Sequence, residues 1–430
     1  MNILVIGSGG REHAICRNFA KSPKVTRLYC ANGNAGIAAI AECVPISPDA
    51  ISELAAFAQE AKIDLTFVGG ETPLALGIVD EFEARGLRIV GPGKQATRLE
   101  SSKSFAKDFM ARHGIPTARY AVAHSPGFAV AELESGNFGS EATPVVVKAD
   151  GLAAGKGVVM APNRAEAIMA INDLAELVGM AAAATIVLEE CLIGKEVSLL
   201  MFADGEDFYL MPPTRDHKRI GENDTGPNTG GMGTFTDASL LSSEDMETIV
   251  AQIVRPTLHG CSREGFPFRG ILFLGLMMTA EGPKLLEYNV RFGDPETQSI
   301  LVRLETDLVD ICEAVLSGRL GKIRVNWRPG SSACVVMAAA GYPMTPQTGD
   351  VINGLDRAKG VVGVEVFHAG TARSGTDIIT AGGRVLGIAA TGKDLETALT
   401  AAYAGVDQIE FAGMQVRRDI GGTAKKADPA

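Results

Sequence analysis

Short apolar runs alternate with segments of helical periodicity in the first hundred residues. The apolar runs have the length of strands and occur at residues 2–6, 27–31, 65–68 and 88–90. Amphipathic segments such as residues 11–21 separate them. Strands that alternate with helices are typical of a parallel sheet covered by helices. We therefore predict a parallel α/β domain over residues 1–100, which ends just after the turn Val90-Gly-Pro-Gly93.

The pattern changes after residue 100 to a mixture of helices and short strands. The elements predicted there are a helix at residues 101–112, strands at 144–148 and 185–189, and an alanine-rich helix at 164–177. A glycine-rich turn, residues 151–157, lies among them. We interpret residues 120–192 as a small α+β lid inserted in a central domain that spans residues 101–327.

Longer strands follow in the rest of the central domain. They are predicted at residues 196–203, 270–279 and 284–289 and are typical of an antiparallel sheet. A polar segment, residues 216–233, interrupts them without a pattern of regular structure, and a loop of that length usually has a function. Short strands with glycine turns then predict a C-terminal β-rich domain over residues 328–422, followed by a flexible tail, residues 423–430.

Composition restricts the class of protein further. The 430 residues carry a net charge of −11, which opposes binding of nucleic acid through its phosphate backbone, and no basic stripe is present. The seven cysteines are scattered without a C-x-x-C pair, as in reduced proteins. No segment has the ~18 consecutive apolar residues of a membrane span. We predict a cytoplasmic multidomain enzyme that binds neither nucleic acid nor membrane.

A glycine-rich turn, Gly7-Ser-Gly-Gly-Arg-Glu12, follows the first strand and opens a helix. Backbone N–H groups at such a helix start can hold a phosphate. The rival dinucleotide fingerprint requires a third small residue where Glu12 stands and an acid after the second strand, where Ala31 and Asn32 stand. A monophosphate site is favoured, and a turn without a ligand stays open.

A second glycine-rich segment runs from Lys148 to Gly157. It lacks the hydroxyl residue that follows Gly-Lys in a Walker A loop, so a metal must be held elsewhere. Its glycines allow the backbone to approach phosphate oxygens, while Lys148, and Lys107 from the preceding helix, would supply positive charge. Glu189 and Glu190 end an apolar strand and suit a hinge that pairs with adenine and ribose. A solvated glycine turn is the alternative.

Glu287, Asn289 and Arg291 alternate along one predicted strand, so all three share a face. Two oxygen ligands followed by a cation suit Mg²⁺ together with phosphate. Asp294 and Glu296 follow directly in a turn and add charge near the same place. The polar segment 216–233 is dense in donors and acceptors, as a loop that closes over substrate would be.

Six segments together resemble the glycinamide ribonucleotide synthetases, also called phosphoribosylamine–glycine ligases, of the ATP-grasp superfamily. They are residues 5–13, 147–157, 224–233, 289–297, 367–371 and 417–420, in order along nearly the whole chain. The resemblance implies a biotin-carboxylase-like N-terminal α/β domain, an ATP-grasp body with an inserted lid, and a β-rich C-terminal domain. It implies that ATP phosphorylates glycine to an acyl phosphate, which the amine of 5-phosphoribosylamine attacks in purine synthesis.

The resemblance also implies site residues and a metal, and we expect the protein to be a monomer. The residues expected to bind ATP are Lys107, Lys148, Gly151, Ala154, Gly155, Lys156, Gly157, Glu189, Glu190, Leu192 and Glu196. Glu287 and Asn289 would hold Mg²⁺ or Mn²⁺. The residues expected to bind substrate are Gly9, Gly10, Asn34, Gly36, Gly69, Glu71, Asp216, Lys218, Arg291, Gly293 and Asp294. Arg291, Asp294 and Lys148 would be catalytic.

Four residues depart from the usual pattern of the family. They are Asn32, Gly70, Arg215 and Cys191. None of them removes an expected ligand, but Arg215 adds a cation beside Asp216. Three rival functions stay open at this stage: a nicotinamide-dependent oxidoreductase, a non-catalytic nucleotide-binding regulator, and an ATP-grasp enzyme that activates another acid. The oxidoreductase lacks its ribose-binding acid, and a regulator would not need Glu287, Asn289 and Arg291 together.

Overall fold

A five-stranded parallel sheet forms the N-terminal unit of the computed structural model, which describes residues 1–151, 157–179 and 183–422. Its strands are β1 (Asn2–Gly7), β2 (Arg27–Asn32), β3 (Glu42–Val44), β4 (Leu65–Val68) and β5 (Ile89–Val90). Their order is β3-β2-β1-β4-β5, and every neighbouring pair is parallel. The prediction of a parallel α/β sheet is confirmed.

Helices cover this sheet because its central strand is apolar on both faces. Residues Ile3, Leu4, Val5 and Ile6 of β1 are all fully buried. The helices are α1 (Gly10–Ala20), α2 (Ile51–Glu60), α3 (Glu71–Leu76) and α4 (Ile78–Ala84). The chain leaves β1 on one side towards β2 and β3 and later returns on the other side to β4. The loops after β1 and β4 therefore border the crevice where ligands bind in open parallel sheets.

Two short helices, α5 (Lys94–Ser101) and α6 (Lys103–Arg112), lead into the central domain. The helix α6 begins after Ser102, whose hydroxyl accepts a hydrogen bond from the N–H of Phe105. A four-stranded antiparallel sheet with two helices follows and has its own apolar core. Its elements are β6 (Tyr120–Ala123), α7 (Pro126–Glu134), β7 (Val145–Ala149), β8 (Val158–Ala161), α8 (Arg164–Val178) and β9 (Ile186–Glu190). This unit covers the segment predicted as a lid, and we refer to it as the lid.

A ten-stranded sheet carries the rest of the chain. The elements from the central domain are β10 (Lys195–Asp204), β11 (Phe208–Leu210), β12 (Thr214–Asp216), β13 (Arg219–Gly221), β14 (Thr225–Asn228), β15 (Gly233–Thr236), α9 (Ser243–Ile249), α10 (Arg255–Arg263), β16 (Arg269–Thr279), β17 (Gly282–Asn289), α11 (Glu296–Leu301) and α12 (Leu308–Leu316). Of these, β13 and β14 pair only with each other.

Most of the C-terminal strands extend this sheet, whereas Thr371–Ser374 and Asp377–Thr380 pair with each other in a separate two-stranded sheet. Their elements are β18 (Ser331–Ala338), α13 (Leu355–Lys359), β19 (Val364–His368), β20 (Thr371–Ser374), β21 (Asp377–Thr380), β22 (Arg384–Gly392), α14 (Leu395–Val406) and β23 (Gln415–Val416). Strand β18 pairs with β15 from Val335 opposite Gly233 to Ser332 opposite Thr236. None of the described helices combines the length and the apolar composition needed to cross a bilayer.

The prediction that residues 216–233 lack regular structure is wrong. The segment contains the antiparallel hairpin β13–β14, although the residues Thr225–Asn228 are exposed. The C-terminal Arg417, which is 1% exposed, holds the hairpin. It donates hydrogen bonds to Asp224 Oδ1 at 2.8 Å and to the Arg219 carbonyl at 3.1 Å. A contact that is so distant in sequence leaves no local pattern to detect.

Two buried histidines join the N-terminal and C-terminal units. The ring nitrogen Nδ1 of His13 accepts a hydrogen bond from the backbone N–H of His368 at 2.8 Å. Asn34 adds a bond to the His368 carbonyl at 2.8 Å and another to the Ser8 carbonyl at 2.8 Å. Gly36 has no space for a side chain, because a Cβ there would lie 2.5 Å from both histidine rings. Asn34 and Gly36 thus build this junction.

This junction predicts that acid destabilises the fold. Burial lowers the pKa of His13 from 6.5 to about 3 and that of His368 to about 4. The neutral rings therefore stabilise the folded state fully above about pH 6.5, and this contribution is lost as the pH falls towards 4. The free energy of unfolding of the wild-type protein should fall by on the order of 3 kcal/mol between pH 6.5 and 4 because of His13. His13→Asn keeps a hydrogen-bond acceptor but does not titrate, so this decrease should be absent in the variant.

Urea unfolding at a series of pH values measures this effect. The exposed His124, changed to Asn in the same way, serves as the matched control and should keep the wild-type slope. Parallel pH profiles of wild-type protein and His13→Asn would show that the junction histidine does not cause the decline.

Candidate active site

Two lysines and one glutamate form a buried cluster between the lid and helix α6. Glu189 Oε2 lies 3.0 Å from Lys107 Nζ and its Oε1 lies 2.7 Å from Lys148 Nζ. The side chains of Lys107 and Glu189 are both only 2% exposed. Burial lowers the pKa of Lys107 to about 8, although Glu189 acts in the opposite direction. Two cations thus share one carboxylate. An anion that binds here can pair with one or both lysines in place of Glu189.

The start of the glycine-rich turn is fixed to helix α6. Asp150 accepts hydrogen bonds from the N–H of Ser104 at 3.0 Å and from its hydroxyl at 2.8 Å. Lys103 Nζ donates to the Gly151 carbonyl at 2.9 Å. At the other end, the Gly157 carbonyl accepts from the N–H of Ala149 at 2.8 Å. The expected ligands Ala154, Gly155 and Lys156 lie outside the described residues.

The segment between β9 and β10 has the properties expected of a hinge. Within the described parts of the chain, no backbone hydrogen bond involves Leu192. The carboxylate of Glu190 accepts a bond from the N–H of Arg119 at 2.8 Å and is partly exposed. Glu189 is buried against the lysines, so Glu190 is the hinge carboxylate that faces outward.

Strand β17 ends in a strongly cationic environment. Burial alone would raise the pKa of Glu287, but the nearby Lys218, Lys148, Lys103 and Arg291 lower it. Lys218 also lies 3.0 Å from Glu196 Oε2, and both side chains are about half exposed. Desolvation by itself would lower the pKa of Lys218, but the neighbouring carboxylates of Glu196 and Glu287 raise it. These cations favour the ionised form of Glu287, although Lys148, Lys218 and Arg291 are each also paired with another carboxylate.

Arg291 connects strand β17 with the N-terminal unit. Its Nη2 donates to Asn289 Oδ1 at 3.0 Å, as the alternation along the strand predicts. Its Nε lies 3.1 Å from Glu71 Oε2, and its Nη2 lies 2.8 Å from Glu100 Oε1. Burial opposes ionisation of Glu71, but Arg291 and Arg11 lower its pKa to about 2. Glu100 also accepts the N–H of Val290 at 2.7 Å.

Asp294 is held by the C-terminal domain. Its Oδ2 lies 3.0 Å from Arg384 Nη2, and its Oδ1 accepts from Gln298 Nε2 at 2.7 Å. Burial by itself would raise the pKa of Asp294, but Arg384 lowers it. Arg384 also donates to the Gly230 carbonyl at 2.6 Å, so it joins the polar segment 216–233 to Asp294. A charged, positioned carboxylate results, with little freedom to exchange a proton.

The first glycine-rich turn lies against Glu12 and Asp294. The N–H of Gly9 donates to Glu12 Oε2 at 2.6 Å, so this helix start is already capped by a carboxylate. A Cβ at Gly69 would lie 2.2 Å from Glu12 Oε1, and one at Gly10 would lie 2.5 Å from Gln298 Nε2. These glycines let the crevice edge of the N-terminal sheet approach the central domain.

Sequence reasoning missed several charged residues of this site. They are Arg11, Glu100, Lys103 and Arg384. Arg11 donates to the Phe292 carbonyl at 3.0 Å and lies in the first glycine-rich motif, which was a usable signal. The others come from a helix, a helix start and a C-terminal strand that folding brings together. Their positions along the chain carry no local signal.

The sequence matches three profiles of one family, in order along the chain. They describe the N domain of phosphoribosylglycinamide synthetase at residues 1–100, its ATP-grasp (A) domain at residues 101–297 and its C domain at residues 332–423. Two curated relatives are both named phosphoribosylamine–glycine ligase. The one from Xanthomonas axonopodis pv. citri is 48% identical over 98% of this chain and 97% of its own length. The one from Brucella melitensis is 44% identical over the full length of both chains.

Solved structures agree with these matches. The crystal structure of phosphoribosylamine–glycine ligase from Thermotoga maritima is 34% identical, has a TM-score of 0.84, and covers 98% of this chain and 100% of its own. The biotin carboxylase domain of the Hydrogenobacter thermophilus 2-oxoglutarate carboxylase has a TM-score of 0.72 at 16% identity over 96% of this chain and 91% of its own. The second likeness shows the fold alone. By its domain profiles and its full-length relatives, this chain belongs to the phosphoribosylglycinamide synthetase family.

Proposed function

We propose that this enzyme joins glycine to 5-phosphoribosylamine at the expense of ATP, through a glycyl phosphate intermediate, in purine synthesis. The observation that carries the chemistry is the buried Lys107–Glu189–Lys148 cluster, near Glu287, whose pKa the neighbouring cations lower. Transfer of a phosphoryl group needs fixed positive charge where negative charge spreads in the transition state. Membership of the family supports glycine as the acid and phosphoribosylamine as the amine.

ATP would lie between the lid and the ten-stranded sheet. Lys107 and Lys148 would bind its phosphates and release part of their pairing with Glu189. The turn from Gly151 to Gly157, with Ala154, Gly155 and Lys156, would cover them. The free backbone of Leu192 suits adenine, and the outward Glu190 suits ribose. Glu196, which is paired with Lys218, would border the phosphates.

A divalent metal fits beside the phosphates. Glu287 and Asn289 supply two oxygens, and Mg²⁺ commonly takes only one or two protein carboxylates or amides and completes its shell with phosphate and water. The cations around Glu287 keep it ionised, as a metal ligand must be. When bound, such a metal neutralises charge on the phosphates. Mg²⁺ and Mn²⁺ both satisfy this set of ligands.

The acceptor amine would approach from the crevice of the N-terminal sheet. Gly9, Gly10, Gly69 and Glu71 border this crevice at the loops after β1 and β4. Asn34 and Gly36 would act by shaping it, since the bonds of Asn34 hold Ser8 and His368. Asp294 and Gly293, at the turn after Arg291, would border the acyl phosphate. Closure of this site would protect the acyl phosphate from water.

The first test is phosphate release from ATP and Mg²⁺. Release that requires both glycine and freshly generated phosphoribosylamine is the expected result. Alanine in place of glycine tests the acid, because ATP-grasp enzymes share their ATP site and differ in the acid they activate. Activity that prefers another acid would keep the ATP-grasp chemistry and reject the ligase. Absence of any release would reject an ATP-dependent reaction.

Arg291→Lys should reduce turnover by roughly 10² while the affinity for ATP stays nearly constant. Lysine keeps the charge but cannot contact Glu71, Glu100 and Asn289 together as the arginine does. A decrease of this size is typical when an enzyme loses one hydrogen-bond donor to the transition state. Lysine is preferred to alanine because alanine would leave buried Glu100 unpaired. Arg112→Lys, at an exposed ion pair with Glu264, is the control. Near-normal turnover would remove Arg291 from the mechanism.

Hydrogen exchange should show that the hairpin β13–β14 closes on substrate. We expect the amides of residues 219–228 to exchange quickly in the free enzyme and more slowly with Mg²⁺, an ATP analogue and glycine. Arg417→Ala removes the bonds to Asp224 and Arg219 and should abolish this protection. Arg418→Ala, whose side chain pairs with Asp407 and lies over the ring of Tyr403, is the matched control. Equal exchange with and without ligands would reject closure.

A further inference from the structure

Lys107 is the more deeply buried of the two lysines that would bind the phosphates of ATP. Its side chain is 2% exposed, compared with 7% for Lys148. A buried ammonium is costly unless partners satisfy its charge and its donors. Glu189 is shared by both lysines, so it supplies only part of what Lys107 requires. The burial of this lysine therefore requires a second partner.

The second partner is the hydroxyl of Thr117. Lys107 Nζ donates a hydrogen bond to Thr117 Oγ1 at 2.7 Å. Thr117 Oγ1 donates in turn to the carbonyl of Leu285 at 2.6 Å. Because a hydroxyl has a single proton, its bond to Leu285 leaves the oxygen only as an acceptor for other groups. The hydroxyl of Thr117 thus presents a lone pair to the ammonium.

Thr117 is itself fixed to the central domain where the chain enters the lid. It lies between helix α6 and strand β6 and forms a parallel bridge with Leu285 of strand β17. The N–H of Leu285 donates to the carbonyl of Pro116 at 2.8 Å. The backbone on both sides of this bridge is therefore held together directly beside the hydroxyl, which gives the hydroxyl a fixed position.

This bridge also relates Lys107 to the expected metal ligands. Strand β17 carries Glu287, two residues after Leu285, and ends at Asn289. A lysine and a metal that act on the same phosphates must keep a fixed separation, because a displacement of about 1 Å can lower a rate by about 10². The hydroxyl of Thr117 connects the lysine to the main chain of the strand that would hold the metal.

Two partners in different directions restrict the position of the lysine side chain. Among residues 1–151, 157–179 and 183–422, only Thr117 forms a hydrogen bond and only Glu189 forms an ion pair with Lys107 Nζ, the latter at 3.0 Å. An ammonium has three N–H donors, so at least one is left for a ligand. With Glu189 alone, the long side chain could reach the carboxylate from several positions. Thr117 selects one of them.

We propose that Thr117 is a positioning residue, whose hydroxyl holds Lys107 in the place where the lysine meets the phosphates of ATP. This inference rests on the proposed ATP-dependent ligation and goes beyond it, since Thr117 does not touch substrate and acts through Lys107. An arriving phosphate can replace Glu189 as a partner of the lysine. The hydroxyl, which Leu285 holds, remains a partner in both states.

Thr117→Val tests this role, because valine keeps the branched shape of the side chain and removes the hydroxyl. In calorimetric titration with Mg²⁺ and a non-hydrolysable ATP analogue, the dissociation constant should rise about tenfold, the effect of losing one hydrogen bond to a charged group. The KM for ATP should rise as well, while the KM for glycine stays nearly constant. Thr117→Ser keeps the hydroxyl and should bind the analogue nearly as tightly as wild type.

A double-mutant cycle separates the positioning of Lys107 from a general effect on the lid. Lys107→Met removes the ammonium, and Glu189 keeps Lys148 as its partner in this variant. If the hydroxyl acts through the lysine, Thr117→Val should weaken binding of the analogue in the wild-type background and have almost no further effect in the Lys107→Met background. Equal effects in both backgrounds would assign Thr117 to the structure of the lid and overturn the proposal.

Two control variants remove comparable hydrogen bonds and leave those of Lys107 in place. Thr279→Val removes a hydroxyl that donates to the Gly282 carbonyl at 2.8 Å, in the hairpin between strands β16 and β17. Tyr120→Phe removes a bond of 3.0 Å from the lid to Asp108 of helix α6. Both variants should bind the analogue as wild type does. A similar loss in Tyr120→Phe would mean that any loosening of the lid lowers the affinity, against the proposal.

The remaining outcomes are equally decisive. Unchanged affinity in Thr117→Val, or a loss that Thr117→Ser shares in full, would overturn the positioning role. Wild-type enzyme that binds the analogue but releases no phosphate with glycine and phosphoribosylamine would reject the ligase activity. The binding measurements need no turnover, so the comparison of the Thr117 variants would still decide the role of the hydroxyl.

Discussion

Arg291 makes the contact on which the arrangement of the active site depends. It follows strand β17, yet its two carboxylate partners, Glu71 and Glu100, come from the start of helix α3 and from helix α5. A cation buried between two carboxylates joins three segments that are distant along the chain, and removal of one member of such a group typically costs about 3–5 kcal/mol. The crevice of the parallel sheet is therefore held against the site that would bind phosphate.

Charge balance extends from this contact through the rest of the site. Glu189 is shared by Lys107 and Lys148, while neighbouring cations lower the pKa of Glu287. The first arrangement keeps two lysines buried without ATP, and the second favours an ionised carboxylate that could hold a metal. These charged clusters coincide with the places where ATP and a metal would bind.

The C-terminal domain takes part in the site as well as in the fold. Its strand β18 continues the central sheet, and Arg384 contacts both Asp294 and the carbonyl of Gly230. Arg417 holds the hairpin β13–β14 from the same domain. The segment that we expect to close over substrate is thus anchored at two points by residues more than 150 positions away in sequence. Closure of this hairpin would be coupled to the C-terminal domain.

Local patterns were sufficient for most of the elements and for the motifs, but not for the hairpin β13–β14. Period-two and period-3.6 patterns predicted the parallel sheet, the lid and strand β17, because burial of one face or both faces leaves a periodic record. Alternation also put Asn289 and Arg291 side by side. Only the tertiary structure revealed the hairpin in residues 216–233, the pairing of Glu189 with both lysines, and the contacts of Glu100 and Arg384. Ion pairs between distant segments depend on how whole domains pack, and that packing leaves no periodic signal in the sequence.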